Sequence, residues 1–369
     1  MHAPWMEESS PEHRLAIAQS HARCVALGLD ESAVPELNPA SLAALPEARA
    51  RHRRLHEQAA PLMEMLFEQV ASSPAMVALS DARGRILHSL GDAGFLERAQ
   101  QVALAPGMDW SESSKGTNAV GTALFTERPT RVHGDEHFLK ANRFLSCSAA
   151  PIFDHAGQVM GVLDLSAERE AYHPHTLAMV DLSARMIENQ CFGDRFRQGL
   201  RLQFHRDAAR LGTLREGLLA VGADGAILGA NRSALAQLGL SIGALRMLGL
   251  EGLFGLGVAA LVEHGRRHGD APLALLPVLG AAAGAPLQVR ALHQGPAPAG
   301  WPPAGLADAV SQATLSALTL PAGADAPTLD ALETDAIRRA VEAAGGNVSL
   351  AARRLGIARN TIYRRLKNR

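Results

Sequence analysis

The spacing of apolar residues changes along the chain, and each change marks a different element. Leu15, Ala18, Ala22 and Val25 recur at helical spacing and stop near Gly28, which predicts a helix. A Pro-containing stretch follows, and a second helical run covers Ala48 to Val70. From about Ser73 to Gln190 the pattern shifts to short strands and turns. In MVALSDARGRILHSLG an apolar run meets the turn Asp81-Ala-Arg-Gly84 and resumes at Ile86 and Leu87. SAAPIFDHAGQVMGVLDLS repeats the design, with Asp154 to Gly157 as its turn. Two antiparallel hairpins with helices between and after them predict a small α+β domain.

Helical periodicity returns at about His175 and is expected to run to Leu211, charged on its outer face, as a connecting helix able to pair between subunits. The alternatives are a surface helix that only closes the preceding domain, or such a pairing. LREGLLAVGADGAILGANRSALAQLGLS then reads as strand, turn Ala223-Asp224-Gly225, strand and helix. The stretch from Pro296 to Pro327 is dominated by Pro, Ala, Gly and Ser and reads as a partly extended linker.

The last residues carry the most specific pattern. Leu329, Leu332, Ala336, Ile337, Ala340, Val341 and Ala344 predict one helix. Asn347 follows Gly345-Gly346 as an N-cap, and Val348, Ala351, Ala352 and Leu355 give a second apolar stripe. Gly356 supplies a sharp turn, and Ile362 and Leu366 give a third helix its buried edge. From Asn347 onward there are seven cationic side chains and no acidic one: Arg353, Arg354, Arg359, Arg364, Arg365, Lys367 and Arg369. A helical pair with a cationic, hydrogen-bonding face suits the major groove of double-stranded DNA. The competing reading is a solvated basic tail. Arg359, Asn360, Thr361, Tyr363 and Arg364 lie on the exposed side of the last helix. Arg359, Asn360, Thr361 and Arg364 are candidates for base edges, and Arg353, Arg365, Lys367 and the helix start at Asn347 for phosphates.

Composition narrows the class. The 369 residues suit two or three domains, and 47% apolar content is ample for real cores. Net charge is −1, so basicity is local to the C-terminal segment. Cys24, Cys147 and Cys191 are few, odd in number and scattered, which favours reduced thiols and a cytoplasmic protein. The first residues show no basic start with an apolar run, and the apolar tract from Leu273 to Leu287 is broken by Pro and Gly, so no membrane span is expected.

GGNVSLAARRLGIARNTIYRRLK resembles the Fis-type three-helix domain that ends many bacterial enhancer-binding regulators. SESSKGTNAVGTAL, EHFLKANRFLSCSAAPIFDHAGQVMGVLDLS and HPHTLAMVDLSARMIENQ resemble the GAF sensor domain of acetoin-catabolism-type regulators, and IAQSHARCVALGLD is similar to the start of that family. The resemblance implies a homodimer on an inverted-repeat operator and a small organic effector, such as acetoin, an alcohol or an aldehyde, in the GAF domain. Trp110, Ser111, Asn118, His133, Glu136, His137, Phe138 and Cys147 are the candidate ligand residues. Each has a structural alternative: core packing for Trp110 and Phe138, turn and cap building for Asn118. His133, His137 and Cys147 match no standard zinc spacing, so no metal is expected. LLAVGADGAILGAN resembles the opening of a PAS domain, in which His264 and His268 do not make a haem or flavin site, so no cofactor is expected.

Members of the resembled family usually carry a central AAA+ ATPase that acts on sigma-54 polymerase. Its phosphate loop needs G-x-x-x-x-G-K-[ST]. The nearest match here, Gly116 to Gly121, continues into Thr122 and Ala123 without the lysine. The expected organisation is therefore multidomain α+β: N-terminal helices at 1–70, GAF sensor at 71–192, connecting helix at 193–211, PAS-like domain at 212–293, linker at 294–328 and Fis-type helix-turn-helix at 329–369. The expected function is ligand-responsive transcriptional regulation without catalysis, with RNA polymerase or a paralogous activator as possible further partners. The alternatives are a co-regulator working through a full-length paralogue, and a thiol redox enzyme built around Cys147.

Overall fold

Both hairpins form where alternation and turn chemistry place them. In the computed structural model, which describes residues 10–35, 37, 42–70, 73–171 and 173–294, the chain divides into two units, Met1–Arg195 and Phe196–Arg369. The linker and the Fis-type segment lie outside the described residues.

The first unit opens with helices α1 (Pro11–Ala26), α2 (Leu45–Arg51) and α3 (Arg53–Glu68). Ser10 caps α1 by accepting from the His13 amide at 3.1 Å, with Pro11 in the first turn where its missing N–H costs nothing. Strands β1 (Ala75–Asp81) and β2 (Ile86–Gly91) form the first hairpin; Asp81 Oδ1 accepts from the amides of Arg83 and Arg85 and closes the turn. Helices α4 (Ala93–Gln101), α5 (Glu112–Lys115) and α6 (Ala119–Thr126) and strand β3 (Thr130–His133) follow. Strands β4 (Leu145–Phe153) and β5 (Val159–Glu168) make the second hairpin, and Asp154 repeats the turn role of Asp81. Helix α7 (Thr176–Arg195) closes the unit.

The five strands form one antiparallel sheet in the order β2-β1-β5-β4-β3. Side chains alternate between its faces. Val77, Leu79, Ala150, Ile152, Leu163 and Leu165 pack with α3 and α7. Met76, Ala78, Cys147, Ala149 and Val162 face a second core with Phe95, Trp110, Ala119, Val120 and Ala123.

The predicted helix to Leu211 is corrected: α7 stops at Arg195, and residues Gly199–His205 form strand β6. Leu200, Leu202 and Phe204 are buried and alternate with half-buried Arg201, Gln203 and His205, a period of two that no helix satisfies. Strands β7 (Gly217–Val221), β8 (Ile227–Ala230), β9 (Leu273–Leu275) and β10 (Leu287–Gln294) complete an antiparallel sheet in the order β8-β7-β6-β10-β9. Helices α8 (Arg232–Leu238), α9 (Ile242–Phe254) and α10 (Val258–His268) build its core. Asn231 joins them: its Oδ1 accepts from the amides of Leu218 and Ala234, capping α8 against β7. Gly249 kinks α9 at φ 62°, which brings the Leu250 amide to the Gly225 carbonyl at 2.8 Å. Among the described residues no single helix is long and apolar enough to cross a membrane.

Candidate functional site

Helix α1 lies on the first unit with its polar side inward. Leu15, Ala18, Ala22 and Val25, the stripe that predicted the helix, are all exposed, with Leu15 at 58% and Val25 at 67%. His13, Ser20 and Cys24 are buried instead. The reason is Glu112, the first residue of α5. Its Oε1 accepts from Ser20 Oγ at 2.6 Å, Thr122 Oγ1 at 2.8 Å and Arg23 Nη2 at 2.8 Å, while Oε2 accepts from Arg23 Nε at 2.8 Å. Burial works against its charge, but Arg23 and the Ser20 and Thr122 hydroxyls bring the carboxyl below its ordinary value. Ser20 also meets Thr117 Oγ1 at 2.8 Å, and Arg23 stacks 3.6 Å over the Phe125 ring.

Glu136 holds the other end of α1. Its Oε1 lies 2.7 Å from His13 Nε2, its Oε2 accepts from the His133 amide at 2.8 Å, and its carbonyl is 2.9 Å from His21 Nε2. Burial again opposes its charge, and His13 first among its neighbours holds the carboxyl below the usual range. Glu136 thus anchors α1.

The remaining candidates fall into several environments. Trp110 is core, its Nε1 donating to the Ala103 carbonyl at 2.7 Å. Ser111 stands at the N-cap position of α5 without a side-chain cap hydrogen bond, its Oγ 3.0 Å from Ser113 Oγ. Asn118 caps α6, accepting from the Gly121 amide at 2.8 Å and donating to the Gly116 carbonyl at 2.8 Å. Phe138 is buried against Gly116, where an added Cβ would meet the Phe138 Cβ at 2.6 Å and its ring carbons at 2.7–2.8 Å, and packs with Cys24 and Leu139. His133 and Cys147 lie on opposite faces of the β3–β4 pair: His133 is in register with Ser146, and Val132 with Cys147. His133 Nδ1 is 3.1 Å from Ser146 Oγ.

His137 is fully buried, with Nδ1 3.1 Å from the Gly134 carbonyl. A carbonyl only accepts, so Nδ1 carries the proton and Nε2 is a lone-pair acceptor; it has no hydrogen-bond partner among the described residues. Burial pulls this imidazole down to about 4, so it is neutral at physiological pH. Among the described residues, no group of three or more His, Cys, Asp or Glu is placed to hold a metal ion.

Cys147 is buried on the inner face of the sheet. Burial, with Asp164 beside it, pushes its thiol well above the ordinary range, the reverse of what a nucleophilic thiol needs. Its Sγ lies 3.0 Å from Ser166 Oγ, and Ser166 Oγ donates to Asp164 Oδ2 at 2.6 Å. Asp164 was not among the candidates. Its signal in the sequence was an acidic residue at an inward position of GVLDLS, where the neighbours on the same face are apolar or small. His264 and His268, on the last turns of α10, are half-buried and exposed respectively, with ring centroids 4.7 Å apart.

Two family models match the chain, the first over the sensor unit and the second outside the described residues. The GAF domain model matches residues 54–191, and the model for bacterial regulatory proteins of the Fis family matches residues 328–368. The acetoin catabolism regulatory protein of Cupriavidus necator is 34% identical over 230 residues, 60% of this chain and 34% of that protein. The acetoin dehydrogenase operon transcriptional activator of Bacillus subtilis is 32% identical over 146 residues, covering 40% and 24% of the two chains. A propane 2-monooxygenase operon transcriptional activator of Mycolicibacterium smegmatis is 30% identical over 138 residues, covering 37% and 24%. The chain spans about a third or less of the length of these curated relatives. It carries a GAF domain followed by a Fis-family domain, and its sequence is similar to that of acetoin and propane operon activators.

Proposed function

We propose that the chain is a ligand-responsive bacterial transcriptional regulator. It binds double-stranded DNA through the Fis-family segment and senses a small organic metabolite in its GAF domain. The observation that carries this reading is the presence of both domain types on one chain, at 54–191 and 328–368. Arg359, Asn360, Thr361 and Arg364 read bases, and Arg353, Arg365, Lys367 and the helix start at Asn347 hold phosphates. The chain acts as a homodimer on an inverted repeat. The unit from Phe196 serves as a PAS-like relay; its antiparallel sheet and the α8–α10 helices support that assignment.

Regulation proceeds without an ATPase within this chain, because the sequence between the GAF and Fis segments holds no phosphate loop. Occupancy of DNA is then the output, or a platform for RNA polymerase or a paralogous activator. A redox enzyme centred on Cys147 is disfavoured by the burial and raised thiol pKa of that residue.

A gel shift tests the DNA-binding reading. Wild type and an Arg359→Ala/Arg364→Ala variant are compared on DNA upstream of the chain's own gene and of the adjacent operon. Each lost base contact should cost about 1–3 kcal/mol, so the variant should bind tenfold or more weakly. Equal shifts by both proteins would overturn the base-contact assignment.

A further inference from the structure

Strand β5 sends Val162, Asp164 and Ser166 to the inner face of the sensor sheet and Leu163 and Leu165 to the other. Asp164 stands at the middle of that face. Its register partners are Ala78 on β1 and Ala149 on β4. The core on this face also holds Ala119, Val120 and Ala123 of α6. The carboxyl is fully buried among small apolar side chains, with no cationic partner among the described residues.

The local hydrogen bonds satisfy only half of it. Ser166 has one hydroxyl proton, and its 2.6 Å contact with Asp164 Oδ2 takes it. Ser166 Oγ also lies 3.0 Å from Cys147 Sγ, and neither contact of this group reaches Asp164 Oδ1. Asp164 Oδ1 is buried with no hydrogen-bond partner among the described residues. A buried, unpaired carboxylate oxygen is costly, and an apolar residue here would suit the fold better. Such a group is what a binding site retains against stability.

We propose that Asp164 anchors the effector of this sensor, and that the effector is a small, uncharged, hydroxyl-bearing molecule that donates its O–H to Asp164 Oδ1. The proposal rests on the reading of the GAF domain as a small-molecule sensor. The small side chains of Ala78, Ala149, Ala119 and Ala123 are buried in the core on this face, so a ligand that reaches Oδ1 would have to be small and would meet methyl groups. Above about pH 7, where Asp164 is ionised, its charge rejects anions, and among the described residues no cation is paired with it to offset that. A ketone without a hydroxyl presents only acceptors to an acceptor.

The test uses the full chain at pH 8, above the value of about 7 to which burial raises the Asp164 carboxyl. Binding of 2,3-butanediol, 2,3-butanedione and butyrate is measured by calorimetry and ligand-observed NMR. The diol should bind wild type, with the dione and butyrate tenfold or more weaker. Asp164→Leu should weaken the diol at least tenfold, the loss of a hydrogen bond to a charged acceptor. Asp164→Asn, which keeps shape and fold, should weaken it about threefold or more. Equal diol binding by wild type and both variants overturns the anchor while the sensor reading stands. Tighter binding of butyrate or of the dione overturns the ligand class and again leaves the sensor. Failure of all three probes overturns the proposal and counts against small-molecule sensing, whereas DNA binding is judged separately by the gel shift.

Discussion

A carboxyl group at the centre of an apolar sheet face has a sign-specific effect on stability. Burial raises Asp164 from 3.8 to about 7 in the folded chain. Above pH 4 the unfolded chain loses this proton, while the folded chain keeps it to about pH 7. Stability from this site is therefore lost as pH rises from 4 to 7. Asp164→Asn should be more stable than wild type at pH 8, by up to about 4 kcal/mol, with the two converging near pH 4. Urea unfolding at several pH values measures this, and equal midpoints at pH 8 would refute it. The stacked imidazoles of His56 and His88 act in the opposite direction. Their ring centroids are 3.4 Å apart, and burial, His56 and Arg49 in that order lower His88 to about 4. Between pH 6.5 and 4 the unfolded chain binds a proton that the folded chain refuses, so stability falls as pH falls through that window. His88→Phe should flatten this acid limb by about 1 kcal/mol, a value reduced for the solvent around a half-buried ring. Of the candidate residues, Asn118 and Trp110 occupy the cap and core positions their chemistry allowed. Asp164 escaped because a single acid in a strand reads as a solvent-facing residue until pairing fixes which side it faces.

At the scale of elements, α1 shows how far periodicity reaches. The repeat of Leu15, Ala18, Ala22 and Val25 identified the helix, but not the side it buries. That side is chosen by Glu112 and Glu136, about a hundred residues away, and no local pattern encodes them. The turns at Asp81 and Asp154 were legible because an Asp side chain and a Gly at fixed offsets close each hairpin locally. Strand β6 was hidden because Leu200, Leu202 and Phe204 follow directly on a true amphipathic helix and continue its apolar content while changing its period. The attachment of α1 depends on Glu112. Glu112→Ala leaves Ser20 and Thr122 buried without their acceptor and should cost about 2 kcal/mol. The loss should appear as amide exchange in residues 11–26 at least tenfold faster, with the sheet amides of β1 and β5 unchanged. Glu112→Gln keeps an acceptor for the two hydroxyls and should fall between. Unchanged exchange in α1 would show that its polar seam does not hold it.

Among the described residues, the apolar cores of the two units share no residues. The buried residues of the second unit's apolar core lie between Leu200 and Val289, and those of the sensor unit's apolar clusters lie between Cys24 and Ile187. Cooperative unfolding follows a shared core, so each unit should melt as its own transition. Differential scanning calorimetry of the full chain should then show at least two transitions. A fragment of residues 10–195 should reproduce one of them within a few degrees. An effector held at Asp164 binds only the folded sensor, so it should raise that transition alone. At about one hundred times its Kd, a ligand adds roughly 2.7 kcal/mol. For a unit of this size that is an increase of about 5–10 °C. A single transition that moves as one with ligand would mean that the two units unfold together, and that the effector's binding energy reaches the second unit through equilibrium coupling rather than through the sensor alone.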